Sequence, residues 1–158
     1  MRENNYFELL NSHDISIPLE KHPTKDIVDD HTNGSLTVVW RDWDNIIKNH
    51  PKMVYVSSIN PGDIKGPHIH TKRESHFVCI HGKVLFVIKY ENEYLEIESS
   101  EENPVMVFVP KGVPSAHINI SNGISKVLAL ADIAWKPNDN EMKNITFDDY
   151  DWEKLKHD

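Results

Sequence analysis

The stretch Pro61-Gly62-Asp63-Ile64-Lys65-Gly66-Pro67-His68-Ile69-His70-Thr71-Lys72-Arg73-Glu74-Ser75-His76-Phe77-Val78-Cys79-Ile80-His81-Gly82 decides how this chain is read. It opens on a Pro-Gly turn and closes on an apolar run that ends in glycine. Side chains alternate across a strand, so His68 and His70 share one face. Two imidazoles about 6–7 Å apart on that face can bind one metal, or act on one substrate as acid and base. A lone histidine is commonly structural. A pair on one strand face, set between a turn and an apolar strand, points to function.

Outward from this stretch the chain reads as short strands separated by turn signals. The predicted strands are Ser35–Trp40, Met53–Ile59, Ser75–His81, Lys83–Lys89, Tyr94–Glu98, Val105–Val109, Ser115–Ile120 and Ser125–Ala134. They are rich in Val, Ile, Tyr and Phe and bounded by Asn-Gly, Pro-Gly, His-Gly, Asn-Pro and Lys-Gly,. Many short strands at regular spacing imply a sandwich or closed barrel, with no helix of core length and a single turn over Trp43–Lys48. The flanks differ. Residues before about Thr32 are polar and read as an arm over 1–32; the barrel is expected over 33–135 and a C-terminal cap over 136–158, all within one domain. Phe147–Lys156 alternates acidic and aromatic residues and reads as a short capping helix or a lid.

At 158 residues, 39% hydrophobic and 27% charged, the chain has the size and composition of one soluble globular domain,. The formal net charge of −8 excludes a basic nucleic-acid surface,. No apolar run approaches the roughly 20 residues of a membrane span, and Met1–Asp14 lacks the apolar core of a secretory signal. The single cysteine, Cys79, cannot form an internal disulfide, which fits the cytoplasm,. An anionic small ligand needs only a local positive patch. Lys65, Lys72 and Arg73 flank the histidines and either supply that patch or are solvated loop charge.

A second segment, Val109-Pro110-Lys111-Gly112-Val113-Pro114-Ser115-Ala116-His117-Ile118-Asn119, completes a pattern. Gly62, His68, His70, Gly82, Pro110, Gly112 and Asn119 fall on the two motifs of the cupins, so the chain resembles an all-β, RmlC-like jelly-roll barrel, a double-stranded β-helix. Metal-binding cupins use both first-motif histidines, a glutamate and a second-motif histidine, a mixed set suited to Mn, Fe, Ni or Zn. Here the glutamate slot holds Ser75, with Glu74 one residue away and hence on the opposite face. The histidine slot holds Ser115, and His117 keeps the face but lies about 7 Å along the strand. The register favours a site without metal and without cofactor; a loop adjustment that gathered His68, His70, Glu74 and His117 is the alternative.

Among cupins the chain looks most like the metal-free nucleotide-sugar enzymes, the dTDP-4-dehydrorhamnose 3,5-epimerases and the dTDP-4-keto-6-deoxyhexose 3,4-ketoisomerases. Gly66-Pro67-His68-Ile69-His70, Phe77–Gly82, Pro110-Lys111-Gly112 and Leu130-Ala131-Asp132 carry the resemblance, which runs from about Gly34 to Trp152. It implies that His68 and His70 shuttle a proton in a keto–enol step beside the sugar carbonyl, for which imidazole is suited at neutral pH. It places Lys65 near the diphosphate. Epimerases carry glutamine where this chain has His70, a basic residue where it has His76, and a tyrosine acid on the strand matching Ser125–Trp135, which has none here. The ketoisomerase side fits better.

The same resemblance offers Asp148 or Asp149 as the carboxylate that orients a catalytic histidine; otherwise the Phe147–Trp152 run is an exposed acidic cap with anchoring aromatics. Tyr55 and Trp135 either stack on a nucleotide base or pack in the barrel. Ser115, His117 and His76 are further candidates for contact with substrate. Asn119 is read as a turn or pocket hydrogen-bonding residue, His81 as exposed and Cys79 as core. The expected function is isomerisation or epimerisation of a nucleotide-activated 4-keto-6-deoxy sugar in polysaccharide or deoxysugar synthesis, by a cytoplasmic homodimer that binds no nucleic acid or membrane. A metal-dependent cupin (a dioxygenase or sugar-phosphate isomerase) and a non-catalytic sugar-binding cupin are the competing readings.

Overall fold

The apolar runs between turn signals become strands in a computed structural model of the chain, which describes residues 15–156. Met1–Asp14, read above as free of a signal segment, lies outside the described residues. The strands are β1 (Ser16–Pro18), β2 (Lys21–Lys25), β3 (Thr32–Thr37), β4 (Met53–Ile59), β5 (Ile64–His70), β6 (Ser75–His81), β7 (Lys83–Tyr90), β8 (Glu93–Ser100), β9 (Val105–Val109), β10 (Ser115–Asn119), β11 (Ser125–Ala131) and β12 (Met142–Asn144). Two five-stranded antiparallel sheets, β1-β9-β6-β11-β4 and β12-β5-β10-β7-β8, face each other. This is the all-β jelly-roll arrangement anticipated from the two motifs.

Between the sheets lies an apolar interior of Ile59, Cys79, Val84, Phe86, Ile88, Val107, Val109 and Val127. The outer faces are covered as well. Val78, Met106 and Leu130 pack under Ile46 and Ile47; Leu85, Val87, Ala116 and Ile118 pack under Phe147 and Tyr150. The segment Phe147–Trp152 is thus an aromatic clasp on the outside of the second sheet, followed by one 3-10 turn over Glu153–Leu155. Trp43–Lys48 contains turns and no helix.

Several expected limits move. The barrel draws strands from both flanks: β1 pairs with β9, and β12 pairs with β5. The strand expected at Ser35–Trp40 is β3, displaced toward the N-terminus, and it forms a separate two-stranded sheet with β2. Its tip leaves Ile27 fully and Val28 almost fully in solvent. The strand expected to reach Ala134 stops at Ala131.

One irregularity positions the site. On β10, Ser115 pairs with His68 and His117 with Lys65, so β5 carries one residue more than its partner over that interval. Gly66 absorbs the surplus at φ +93°, and a Cβ there would sit 2.9 Å from the Ser115 carbonyl oxygen and 3.2 Å from Ala116 Cα. Only glycine meets both demands. The bulge restores parity: Lys65 and His68, an odd number of residues apart, share the inward face.

Candidate functional site

β5 presents Lys65, His68 and His70 to the interior, and β10 answers with Ser115 and His117. The His68 and His70 rings lie 5.7 Å apart, edge to face. The Pro110–Gly112 turn locks against them, because the Gly112 N–H donates to the His70 carbonyl at 2.7 Å. The two motifs are therefore one unit in space.

His70 Nδ1 donates to Glu141 Oε1 at 2.6 Å. Glu141 is 3% exposed, and Arg73, 5% exposed, places Nη2 at 3.6 Å from the same oxygen. Tyr55, inward-facing on β4, joins this group. Burial raises its hydroxyl above the ordinary value, while the neighbouring Arg73 opposes that rise. His68 is held below its ordinary value, chiefly by burial and next by the neighbouring His70; a hydrogen bond with Asn144 acts the other way. Because Nδ1 of His70 is engaged, its tautomer is fixed and Nε2 is left as the proton acceptor.

The carboxylate on the histidine is thus Glu141, not Asp149. Asp149 sits on the outside of the second sheet, where it bonds the Tyr94 hydroxyl and lies 3.7 Å from Lys89. Asp148 belongs to the same outer clasp. Nothing in the residue types around Glu141 announces it. It follows Asn138 and Asn140, both left-handed, and Thr71 holds its carbonyl through N–H and hydroxyl bonds of 2.7 and 2.8 Å. Asn tolerates that backbone region better than most residues, and the Pro137-Asn-Asp-Asn run reads only as a turn.

Other candidates separate by face. His76 is buried on the outer face of the first sheet, stacked on Phe108 at 4.6 Å, and burial pushes it down to about 4. It has no access to the interior. His117 lies inside against Phe86 (5.1 Å) and Phe77 (6.0 Å), with its Nε2 buried and unbonded. Burial first, then His68 and Lys65, push it down to about 3, so it is a neutral imidazole. Trp135 is 61% exposed, outside the barrel, and bonds Met53 Sδ through its backbone N–H. It neither packs inside nor reaches the histidines.

Asn119 is structural. Its amide nitrogen donates to the carbonyls of Ile59 (2.8 Å) and Gly123 (2.7 Å), and its oxygen accepts from Ser121 and Ser125. No bonding capacity remains for a substrate. Cys79 is buried, with its thiol pushed up to about 11 by burial, and His81 is exposed beside Glu101. Lys72 is exposed, whereas Arg73 is buried, so the loop cations do not act as one patch.

The four-residue metal set does not assemble. Glu74 turns outward, where Asn49 donates to it at 3.3 Å, while His68, His70 and His117 face inward. Ser75 and Ser115 occupy the ligand slots. Among the described residues, the only three His, Cys, Asp or Glu side chains with ligand atoms within 4.8 Å of one another are Asp26, Asp29 and His31, on the exposed hairpin. The residues present therefore do not fit a cupin metal.

With that geometry in place, the sequence model of the family described as FdtA: WxcM-like, C-terminal matches residues 19–151. The chain belongs to this family. The matched span contains His68, His70, Arg73 and Glu141. No curated protein matches the chain. Among solved structures, a dTDP sugar isomerase from Desulfovibrio desulfuricans G20 superimposes with a TM-score of 0.74 at 14% identity, over 87% of this chain and 90% of that one. QdtA, a sugar 3,4-ketoisomerase from Thermoanaerobacterium thermosaccharolyticum in complex with TDP, gives 0.60 at 22% identity, over 79% and 86%. The capsular polysaccharide assembling protein CapF from Staphylococcus aureus gives 0.57 at 21% identity, over 61% of this chain. The aligned part is 27% of CapF, so this chain spans only a fraction of that protein. These likenesses concern the fold, which the FdtA-like family shares with sugar-modifying jelly rolls. No helix among the described residues is long and apolar enough to cross a membrane.

Proposed function

We propose that this FdtA-like protein isomerises a nucleotide-activated 4-keto-6-deoxy sugar by moving a proton between carbon and oxygen next to the carbonyl. The observation that carries this reading is the inward pair His68 and His70, with Glu141 bonded to His70 Nδ1. His70 Nε2 takes the C3 proton while the C4 oxygen receives a proton from His68, which regains one from solvent, and the product is an enediol. Loss of the O3 proton with protonation at C4 completes a 3,4-ketoisomerisation. Return of a proton to the other face of C3 gives the epimer instead. Lys65, half-buried on the inward face, supplies positive charge toward the diphosphate; Tyr55, Ser115 and His117 are the inward groups available to the sugar. The chemistry needs no metal or redox cofactor. Membership of the family and the fold shared with dTDP-sugar isomerases support the choice of substrate class, in surface polysaccharide or deoxysugar synthesis in the cytoplasm.

The test is to mix the protein with dTDP-4-keto-6-deoxyglucose in D2O and follow deuterium by NMR. Uptake at C3 of the 4-keto sugar is expected, and deuterium at C4 of a 3-keto product if the enzyme is a ketoisomerase. No exchange above that of the His68→Asn/His70→Asn double variant, across several nucleotide sugars, overturns the reading. Tight binding without exchange would identify a sugar-binding protein.

The protein is proposed to act as a homodimer. The outer face of the edge strand β4 leaves Val54 (58%) and Val56 (52%) exposed side by side, a surface more apolar than a free edge usually tolerates. Sedimentation equilibrium should give twice the 18.3 kDa chain mass; a monomer at high micromolar concentration contradicts it.

A further inference from the structure

Arg73 is a cation in a place that stability alone does not explain. It is 5% exposed, its Nε and Nη2 have no hydrogen-bond partner, and Glu141 Oε2 also has none. Hydrogen bonds to Tyr55 from Arg73 and from His70 to Glu141 Oε1 return only part of the desolvation such a pair costs,. Its geometry is nonetheless specific. Arg73 Nη2 and His70 Nδ1 converge on the same carboxylate oxygen, at 3.6 and 2.6 Å. The shorter contact is a hydrogen bond; the longer one supplies charge and leaves the lone pair to His70.

Charge balance gives the consequence. With Arg73 present, the buried cluster is neutral when His70 is neutral. Without it, the same cluster reaches neutrality by taking up one proton, which goes to His70 as the stronger base of the pair and makes it a cation. An imidazolium cannot accept a proton. The groups facing His70 are His68 on its own strand, Glu141 from the loop before β12, and Arg73 from the β5–β6 loop with Tyr55 of β4 beside it; His117 and Lys65 lie beyond His68. Apart from Lys65, Arg73 is the one permanent cation among them.

We propose that Arg73 is a positioning residue which shares the Glu141 carboxylate with His70 and so keeps His70 unprotonated and available as the base. The inference rests on the function proposed above only in calling His70 a base; the sharing of the carboxylate is read from the structure itself.

Imidazole NMR titration of the substrate-free protein tests it. In Arg73→Met, His70 should bind its proton at least about tenfold more tightly than in the unmodified protein, and the acid limb of the exchange rate should move to higher pH by the same amount. Arg73→Lys should restore most of the difference. In a Glu141→Gln background the Arg73→Met change should move His70 clearly less, since only the direct repulsion between the two side chains is then removed. An unmoved His70 titration in folded Arg73→Met, or an equal shift in the Glu141→Gln background, overturns the proposal. If Arg73→Met does not fold, Arg73→Gln is read the same way. A shifted titration without sugar exchange would sink the function and leave the role of Arg73 standing; exchange with no shift would do the reverse.

Discussion

His70→Asn is expected to slow deuterium exchange at the sugar by about 10²–10⁴-fold, with little change in nucleotide-sugar binding. Asparagine fills a similar volume and still offers an N–H to Glu141 Oε1, so the dyad's geometry persists. What disappears is Nε2, the ring nitrogen left free when Nδ1 is engaged. Glu141→Gln probes the same step from behind. A neutral amide no longer fixes the tautomer or balances a developing imidazolium, so exchange should fall by about 10–100-fold while His70 itself remains. Asp149→Asn, on the outer clasp, should leave exchange unchanged. Exchange in His70→Asn within threefold of the unmodified protein would remove His70 from the mechanism.

Acid should unfold this protein earlier than its carboxylates alone require. His76 and His117 are held near 4 and 3 in the fold, chiefly by burial. Freed by unfolding, each ring takes up a proton at about 6.5. Between those values the unfolded chain binds more protons than the folded one, so stability falls as pH falls. The contribution is complete above about pH 6.5, begins to fade below it, and is fully lost near pH 4 for His76 and pH 3 for His117. Each ring adds a slope of up to about 1.4 kcal/mol per pH unit. His68, lowered by burial and His70, adds in the same direction. Urea midpoints should hold from pH 7.5 to about 6.5 and decline steadily from there to 4.5, and His76→Phe should reduce the slope, since phenylalanine can keep the stack on Phe108 without a proton to bind. A flat profile would mean that these rings charge inside the fold.

The fold was legible where sequence signals were local. Met53–Ile59, Ser75–His81 and Val105–Val109 have the same bounds in sequence and structure, because each is an apolar or alternating run stopped by Gly, Pro or Asn. Ser16-Ile17-Pro18 and Met142-Lys143-Asn144 gave no such signal; they are strands only because a neighbouring edge accepts them. Parity placed Glu74 outside and kept His117 on the inner face. Parity could not reveal Glu141, which reaches His70 across 71 residues of chain. Nor could residue type separate Asp149 from Glu141, two acids near the same end of the chain with opposite surroundings. Arg73 looked like a loop cation because its neighbours Lys72 and Glu74 are polar; only its burial shows otherwise.

β12 holds Glu141 in place through three residues of pairing at the outer edge of its sheet. Its residues are all exposed, and so short an edge strand opens more readily than the barrel behind it. A molecule with β12 detached would keep its core and both histidines, yet would lack the carboxylate that orients one of them. Under the proposed chemistry, local opening of this edge would lower the competent fraction without global unfolding. Contacts along that edge would thus bear on how His70 is held, though they lie outside the barrel interior.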